Sequence, residues 1–267
     1  MTAPISRGTA ARDGGRGAGL VRRVSHQARR RRLEVLRVEE LGSAMRRIVL
    51  GGPELESDFP FLPLAAADHV KVVVPDEETG ELTLPAAGRP SPLTTRDYTP
   101  RRFDAAAGEL TIDFVLHAHG PAGRWATTAA PGASLGVIGP RGSQVFPADC
   151  DDYLLVADET GLPATERFLE ELPTDAVVRV LVLATGPERE LGGGRVADVR
   201  WLGAVPAEAV VETVAAIPLG SGSLVWGAGE AGAMRTLRTH LRQDRGLDAE
   251  RVSVRGYWRE GVAGSLD

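Results

Sequence analysis

Cysteine occurs once in the 267 residues, at Cys150. A single thiol excludes a disulfide framework and any all-cysteine zinc or iron–sulfur site, and it fits a reducing cytoplasm. Lysine is as scarce. Of 31 basic residues only Lys71 is lysine, so nearly every anion contact must come from a guanidinium. No apolar run reaches the roughly 18 residues that a membrane-spanning helix needs. The basic N-terminal stretch is not followed by the apolar stretch of a secretion signal.

What is present is a globular composition with an uneven charge. A hydrophobic fraction of 43% at this length supports a sizeable core in two domains or one large one. Residues 1–32 hold nine Arg and one acid, Asp13, a net +8. The whole chain carries −5, which leaves −13 on the remainder. That balance argues against a dedicated nucleic-acid binder. The Gly/Arg-rich first 32 residues predict a disordered leader.

Two rhythms follow. From Leu33, short strand-like segments recur between Gly and Pro: 33–41, 45–50, 69–74, 81–84, 97–103, 109–117 and 135–138. Their spacing predicts an antiparallel β-barrel or sandwich, with one short helix over 122–130. After Pro147 apolar strands alternate with helical spacing: strands at 153–157, 177–184, 198–202, 223–227 and 251–258, helices at 162–172, 207–217 and 230–243. Such alternation means βαβ units on a parallel sheet. The expected architecture is a barrel over 33–147 and an α/β nucleotide-binding domain over 148–267.

Five segments can carry chemistry. Arg96-Asp97-Tyr98-Thr99 sets a cation, an aromatic face and a short donor along a strand, the groups that hold a planar ring with a phosphate tail. As an ordinary edge strand the segment needs no ligand at all. Asp113 to His117 runs through Gly120-Pro121-Ala122 into the helix carrying Trp125, and a helix N-terminus with free N–H groups can seat a pyrophosphate. His117 and His119 make a weak metal pair, since no carboxylate or thiol is patterned around them. Asp158-Glu159-Thr160-Gly161-Leu162-Pro163-Ala164 follows a buried strand, where ligands bind in open α/β sheets. Its adjacent acids point to opposite faces and do not make a catalytic dyad. Trp226-Gly227-Ala228-Gly229-Glu230 is a fragment of a dinucleotide fingerprint, and Gly256-Tyr257-Trp258-Arg259 adds aromatics near the C-terminus.

In this order and spacing, with His69-Val70-Lys71 and Gly139-Pro140-Arg141-Gly142-Ser143, the segments resemble the siderophore-interacting protein family. These are flavin-dependent ferric-siderophore reductases of the ferredoxin-reductase superfamily. The resemblance covers nearly all of Leu33–Gly261. It implies a flavin-binding barrel joined to a nicotinamide-binding α/β domain, with FAD as cofactor and NADPH or NADH as electron donor.

The same resemblance implies roles for residues. Arg96, Asp97, Tyr98 and Thr99 hold FAD, with Asp113, Val115, His117, Gly120, Pro121, Ala122 and Trp125. Asp158, Thr160, Pro163, Ala164, Trp226, Gly227, Gly229 and Glu230 line the nicotinamide cleft. Lys71, Arg141 and Arg259 present charge to an anionic ferric siderophore. No protein acid, base or resident metal is required, because the flavin carries the chemistry. A general NAD(P)H:flavin oxidoreductase and a non-catalytic siderophore-binding flavoprotein stay open as alternatives. Reduced ferredoxin stays open as a donor, and a cytoplasmic monomer is the default.

Overall fold

The computed structural model describes residues 20–86, 95–116, 120–192 and 197–262. The N-terminal half holds β1 (Arg22–Ser25), β2 (Arg30–Glu40), β3 (Met45–Gly51), β4 (Val70–Val73), β5 (Arg96–Tyr98), β6 (Pro100–Asp104) and β7 (Glu109–Val115). Helix α1 (Pro121–Thr128), β8 (Ser134–Ile138) and β9 (Gly142–Val145) follow. Seven strands form one antiparallel sheet in the order β5-β4-β8-β2-β3-β7-β6. Alternate residues point inward, as the pleat requires. Leu33, Val35, Ile48, Leu50, Leu110, Ile112 and Phe114 build the interior.

Sheet closure follows from the topology. β5 and β6 lie at opposite edges of the sheet, yet only Thr99 separates them in the chain. Consecutive Cα atoms are about 3.8 Å apart, so the sheet must curl until its edges meet. The seam of this barrel is Tyr98-Thr99-Pro100.

The C-terminal half holds β10 (Asp152–Ala157), α2 (Leu162–Glu171), β11 (Val177–Val182), β12 (Asp198–Trp201) and α3 (Ala207–Ala215). It continues with β13 (Leu224–Glu230), α4 (Ala231–Thr239) and β14 (Val252–Trp258). The five strands are parallel, in the order β12-β11-β10-β13-β14. The chain starts at the centre of this sheet and reverses direction between β10 and β13. A crevice opens at such a point, beyond the carboxyl ends of the two strands.

The two units meet on α2. Its stretch from Leu162 to Leu169 is buried on every side, because the face away from its own sheet docks on the barrel. Arg167, 1% exposed, donates to the carbonyls of Ala65 at 3.1 Å, Pro100 at 3.3 Å and Leu62 at 3.0 Å. Its guanidinium lies 3.9 Å from the Phe61 ring centre. Phe146 and Phe168 close the joint edge to face at 5.1 Å.

Four expectations are corrected. The leader does not run to residue 32: β1 pairs antiparallel with β9, and Arg30–Arg32 begin β2. Residues 97–103 make two strands rather than one, because the chain crosses between sheet edges at Thr99. Residues 81–84 form no strand, although Leu82 is buried and its carbonyl accepts Arg32 Nη2 at 2.6 Å. The last helix begins after Glu230, which caps it, and passes into a π-helical turn over His240–Asp244.

Candidate functional site

The first motif sits at the barrel seam. Pairing of β5 with β4 sets Arg96 opposite Val72, Asp97 opposite Lys71 and Tyr98 opposite Val70. The Tyr98 ring packs on Phe114 at 4.4 Å, and Phe114 packs on Trp125 of α1 at 5.6 Å. This aromatic ladder brings the seam, the end of β7 and α1 to one place. Burial pushes the Tyr98 hydroxyl well above its ordinary range, so the ring stays neutral. Thr99 is buried in the seam. Arg96 donates to the Thr95 carbonyl at 3.0 Å and has no acidic partner among the described residues.

The start of α1 is open. Gly120 sits at φ 92°, a conformation that favours glycine, and no side chain caps the helix. Pro121 occupies the first turn, where its missing N–H costs nothing. Buried Ala122 and Gly123 follow. The uncapped N–H groups and the Arg96 guanidinium, which meets no carboxylate among the described residues, are a donor set suited to a pyrophosphate, and Tyr98 is suited to a flat ring. His117 lies outside the described residues. Val115 closes β7, in register with Met45.

Two residues of this group are otherwise engaged. Asp113 gives both carboxylate oxygens to Arg47, at 2.8 Å each. Burial raises its pKa against the pull of that guanidinium. Asp97 binds Lys71 Nζ at 3.0 and 3.2 Å, so part of the lysine's charge is already answered. Arg141 and Arg259 are exposed.

The second half of the site is the crevice between β10 and β13. Asp158, 6% exposed, accepts the Thr160 N–H at 2.8 Å and the Thr160 hydroxyl at 2.6 Å through Oδ1. Its Oδ2 accepts Trp258 Nε1–H at 2.7 Å. Burial raises its pKa in spite of these donors. Gly229 is required beside it, since a Cβ there would stand 2.7 Å from Asp158 Oδ2. Glu230 caps α4 through the N–H groups of Gly232 and Ala233.

Pro163, Ala164, Trp226 and Gly227 lie deeper than a lining would. Trp226 packs between Phe168 and Tyr257, at 5.3 and 6.5 Å. Pro163 and Ala164 belong to the buried face of α2. A Cβ at Gly227 would press on the Val156 carbonyl at 3.3 Å. These four are packed in the core beneath the strand ends. Burial raises the Tyr257 hydroxyl pKa, with the Arg255 charge pulling against it and Asp68, Asp158 and Asp97 adding to it.

Sequence reasoning missed the network that fixes the two halves. Glu166, whose side chain is 4% exposed, receives Arg101 Nε at 2.9 Å, Arg47 Nη2 at 3.5 Å and Arg189 Nη1. Arg101 also grips Glu170. Burial works against the Arg101 charge, and the two glutamates more than restore it. The periodicity of α2 carried no sign of this, because its polar face is buried by a partner distant in sequence. Arg189 is thereby tied to α2 through Glu166.

An antiparallel barrel set against a five-stranded parallel sheet is a ferredoxin-reductase-type two-domain fold. The ferredoxin reductase of carbazole 1,9a-dioxygenase shares it at 14% identity and a TM-score of 0.63, over 86% of this chain and 69% of that one. Residues 34–144 match the siderophore-interacting FAD-binding domain, and 150–261 match the siderophore-interacting protein model. The chain belongs to the siderophore-interacting protein family. It is 40% identical to a siderophore utilization protein from T. fusca, with a TM-score of 0.82 over 92% of this chain and 98% of that one. It is 35% identical over 251 residues to the NADPH-dependent ferric-chelate reductase of Escherichia coli, covering 88% and 95% of the two chains. Among the described residues no helix is long and apolar enough to cross a membrane, and none of their His, Cys, Asp and Glu side chains cluster as a metal site.

Proposed function

We propose that the chain is a ferric-siderophore reductase that holds FAD and takes electrons from NADPH or NADH. The observation that carries this reading is the meeting of the uncapped α1, Arg96 and the Tyr98–Phe114–Trp125 ladder beside a switch-point crevice and a set of cations. Bound FAD supplies the conversion of a two-electron hydride donor into single-electron delivery to iron.

The chain's own residues bind, orient and attract. Arg96 and the N–H groups of α1 neutralise the pyrophosphate, and the Tyr98 and Trp125 side of the barrel gives the ring a flat wall. Glu230 stands at the carboxyl end of β13, where a carboxylate accepts hydroxyl groups of a nucleotide, and buried Asp158 holds Thr160 and Trp258 in place beside it. Glu166 and its arginines keep the two halves at fixed separation. Lys71, Arg141 and Arg259 draw in the anionic chelate, an attraction that salt weakens. We take the protein to act as a cytoplasmic monomer.

Anaerobic reduction by each nicotinamide, followed by reoxidation with ferric siderophore or free flavin, tests the reading. Ferric chelate should be the better oxidant. Turnover of free flavin alone would instead mark a general flavin reductase. A bound flavin that neither nicotinamide bleaches would mark a carrier or a ferredoxin-fed enzyme.

A further inference from the structure

β1 precedes the matched segment 34–144, yet it pairs along all of β9, from Arg22 opposite Val145 to Ser25 opposite Gly142. At its end His26 grips the turn that carries Arg141 by two routes. Its backbone N–H donates to the Arg141 carbonyl at 2.8 Å. Its imidazole Nε2 lies 2.7 Å from Ser143 Oγ. The Ser143 hydroxyl in turn bonds Asp68 Oδ2, and Asp68 Oδ1 accepts the Gln144 N–H at 3.1 Å.

The hydrogens in this chain have one arrangement when Asp68 is ionised. A carboxylate only accepts, so the single Ser143 hydrogen points to Asp68. The Ser143 oxygen must then accept, and His26 carries its proton on Nε2. Ser143 and Asp68 are 3% and 4% exposed, so breaking the chain strands buried polar groups. Arg141 itself is exposed and has no side-chain partner among the described residues. Its carbonyl is held by His26, while its guanidinium has no partner among the described residues.

We propose that His26 is a positioning residue for Arg141, and that the His26–Ser143–Asp68 chain fixes the place from which Arg141 meets the anionic ferric chelate. The inference rests on the reading of Arg141 as a substrate cation. Holding the turn before the ligand arrives removes an ordering cost from binding. N-terminal strand β1 is thereby part of the substrate site.

The test uses the FAD-loaded protein and the gallium(III) tris-catecholate trianion, a redox-inert stand-in for the ferric complex, with affinity read by calorimetry. Arg141→Ala should weaken binding about tenfold, the scale of one hydrogen bond to a charged group. His26→Ala and Ser143→Ala should each weaken it by about three- to tenfold, with FAD content unchanged. His26→Gln, whose amide can donate to Ser143, should restore affinity. In the Arg141→Ala background, His26→Ala should add no further loss. Full affinity in His26→Ala, or an equal extra loss in the double variant, overturns the positioning role while leaving Arg141 as a substrate cation. Unchanged affinity in Arg141→Ala overturns the substrate reading of Arg141, and the positioning role with it.

Discussion

Replacing Glu166 by Gln removes one charge from the joint between the barrel and the parallel sheet. The side chain is 4% exposed and meets Arg101 at 2.9 Å, Arg47 at 3.5 Å and Arg189. A neutral amide can accept from one guanidinium, but its own NH2 faces the others. Breaking a buried pair from one side costs about 3–5 kcal/mol. Asp113 still serves Arg47 and Glu170 still serves Arg101, so the lower end, about 3 kcal/mol, applies. For a chain of this size each kcal/mol moves Tm by about 2–4 °C. Glu166→Gln should therefore melt roughly 6–12 °C below the parent, followed by circular dichroism at neutral pH. The exposed pair Arg124–Glu77 is the control: Glu77→Gln should cost under about 1 kcal/mol. A Glu166→Gln protein melting within about 2 °C of the parent would refute the assignment of the joint to this network.

Other substitutions probe other links. Gly161→Ala would set a Cβ 2.8 Å from Ala157 Cβ and 3.0 Å from the Ala228 carbonyl, and should cost about 1–3 kcal/mol in urea unfolding. Asp158 has a folded pKa above its ordinary value, so its native state holds the proton more tightly. The stability this gives is present in acid and is lost as pH rises through the folded pKa. Asp158→Asn should abolish that loss, so the urea midpoint of the parent should fall relative to the variant between pH 4 and pH 7; a constant difference would contradict the sign. Lys71→Ala should raise KM for ferric siderophore at low salt while FAD stays bound. Its pairing with Asp97 predicts a smaller effect than Arg141→Ala, and steady-state kinetics would show the order.

Much of the architecture was legible because it rests on local patterns. The period of two in β2 and β7 marks the barrel wall, and the apolar runs of β10 and β11 mark a doubly covered sheet. The candidate site motifs Arg96–Thr99 and Gly120–Ala122 are contiguous, so a local reading can propose each as a unit. What stayed hidden depends on partners far away in sequence. β1 has no apolar alternation of its own and exists because β9 pairs with it. Glu166 and Arg167 look like the solvent face of a helix until the barrel covers them. Trp226 looks like a cofactor contact until Phe168 and Tyr257 enclose it. The break at Thr99 follows from closure of the whole sheet, which no window of a few residues contains.

The most direct measurement is the visible absorption spectrum of the purified protein after incubation with excess FAD and removal of what is unbound. Flavin bands at one FAD per chain, lost in an Arg96→Ala, Tyr98→Ala double variant that remains folded, are the expected result. A colourless wild-type protein after that incubation would contradict the account at its root.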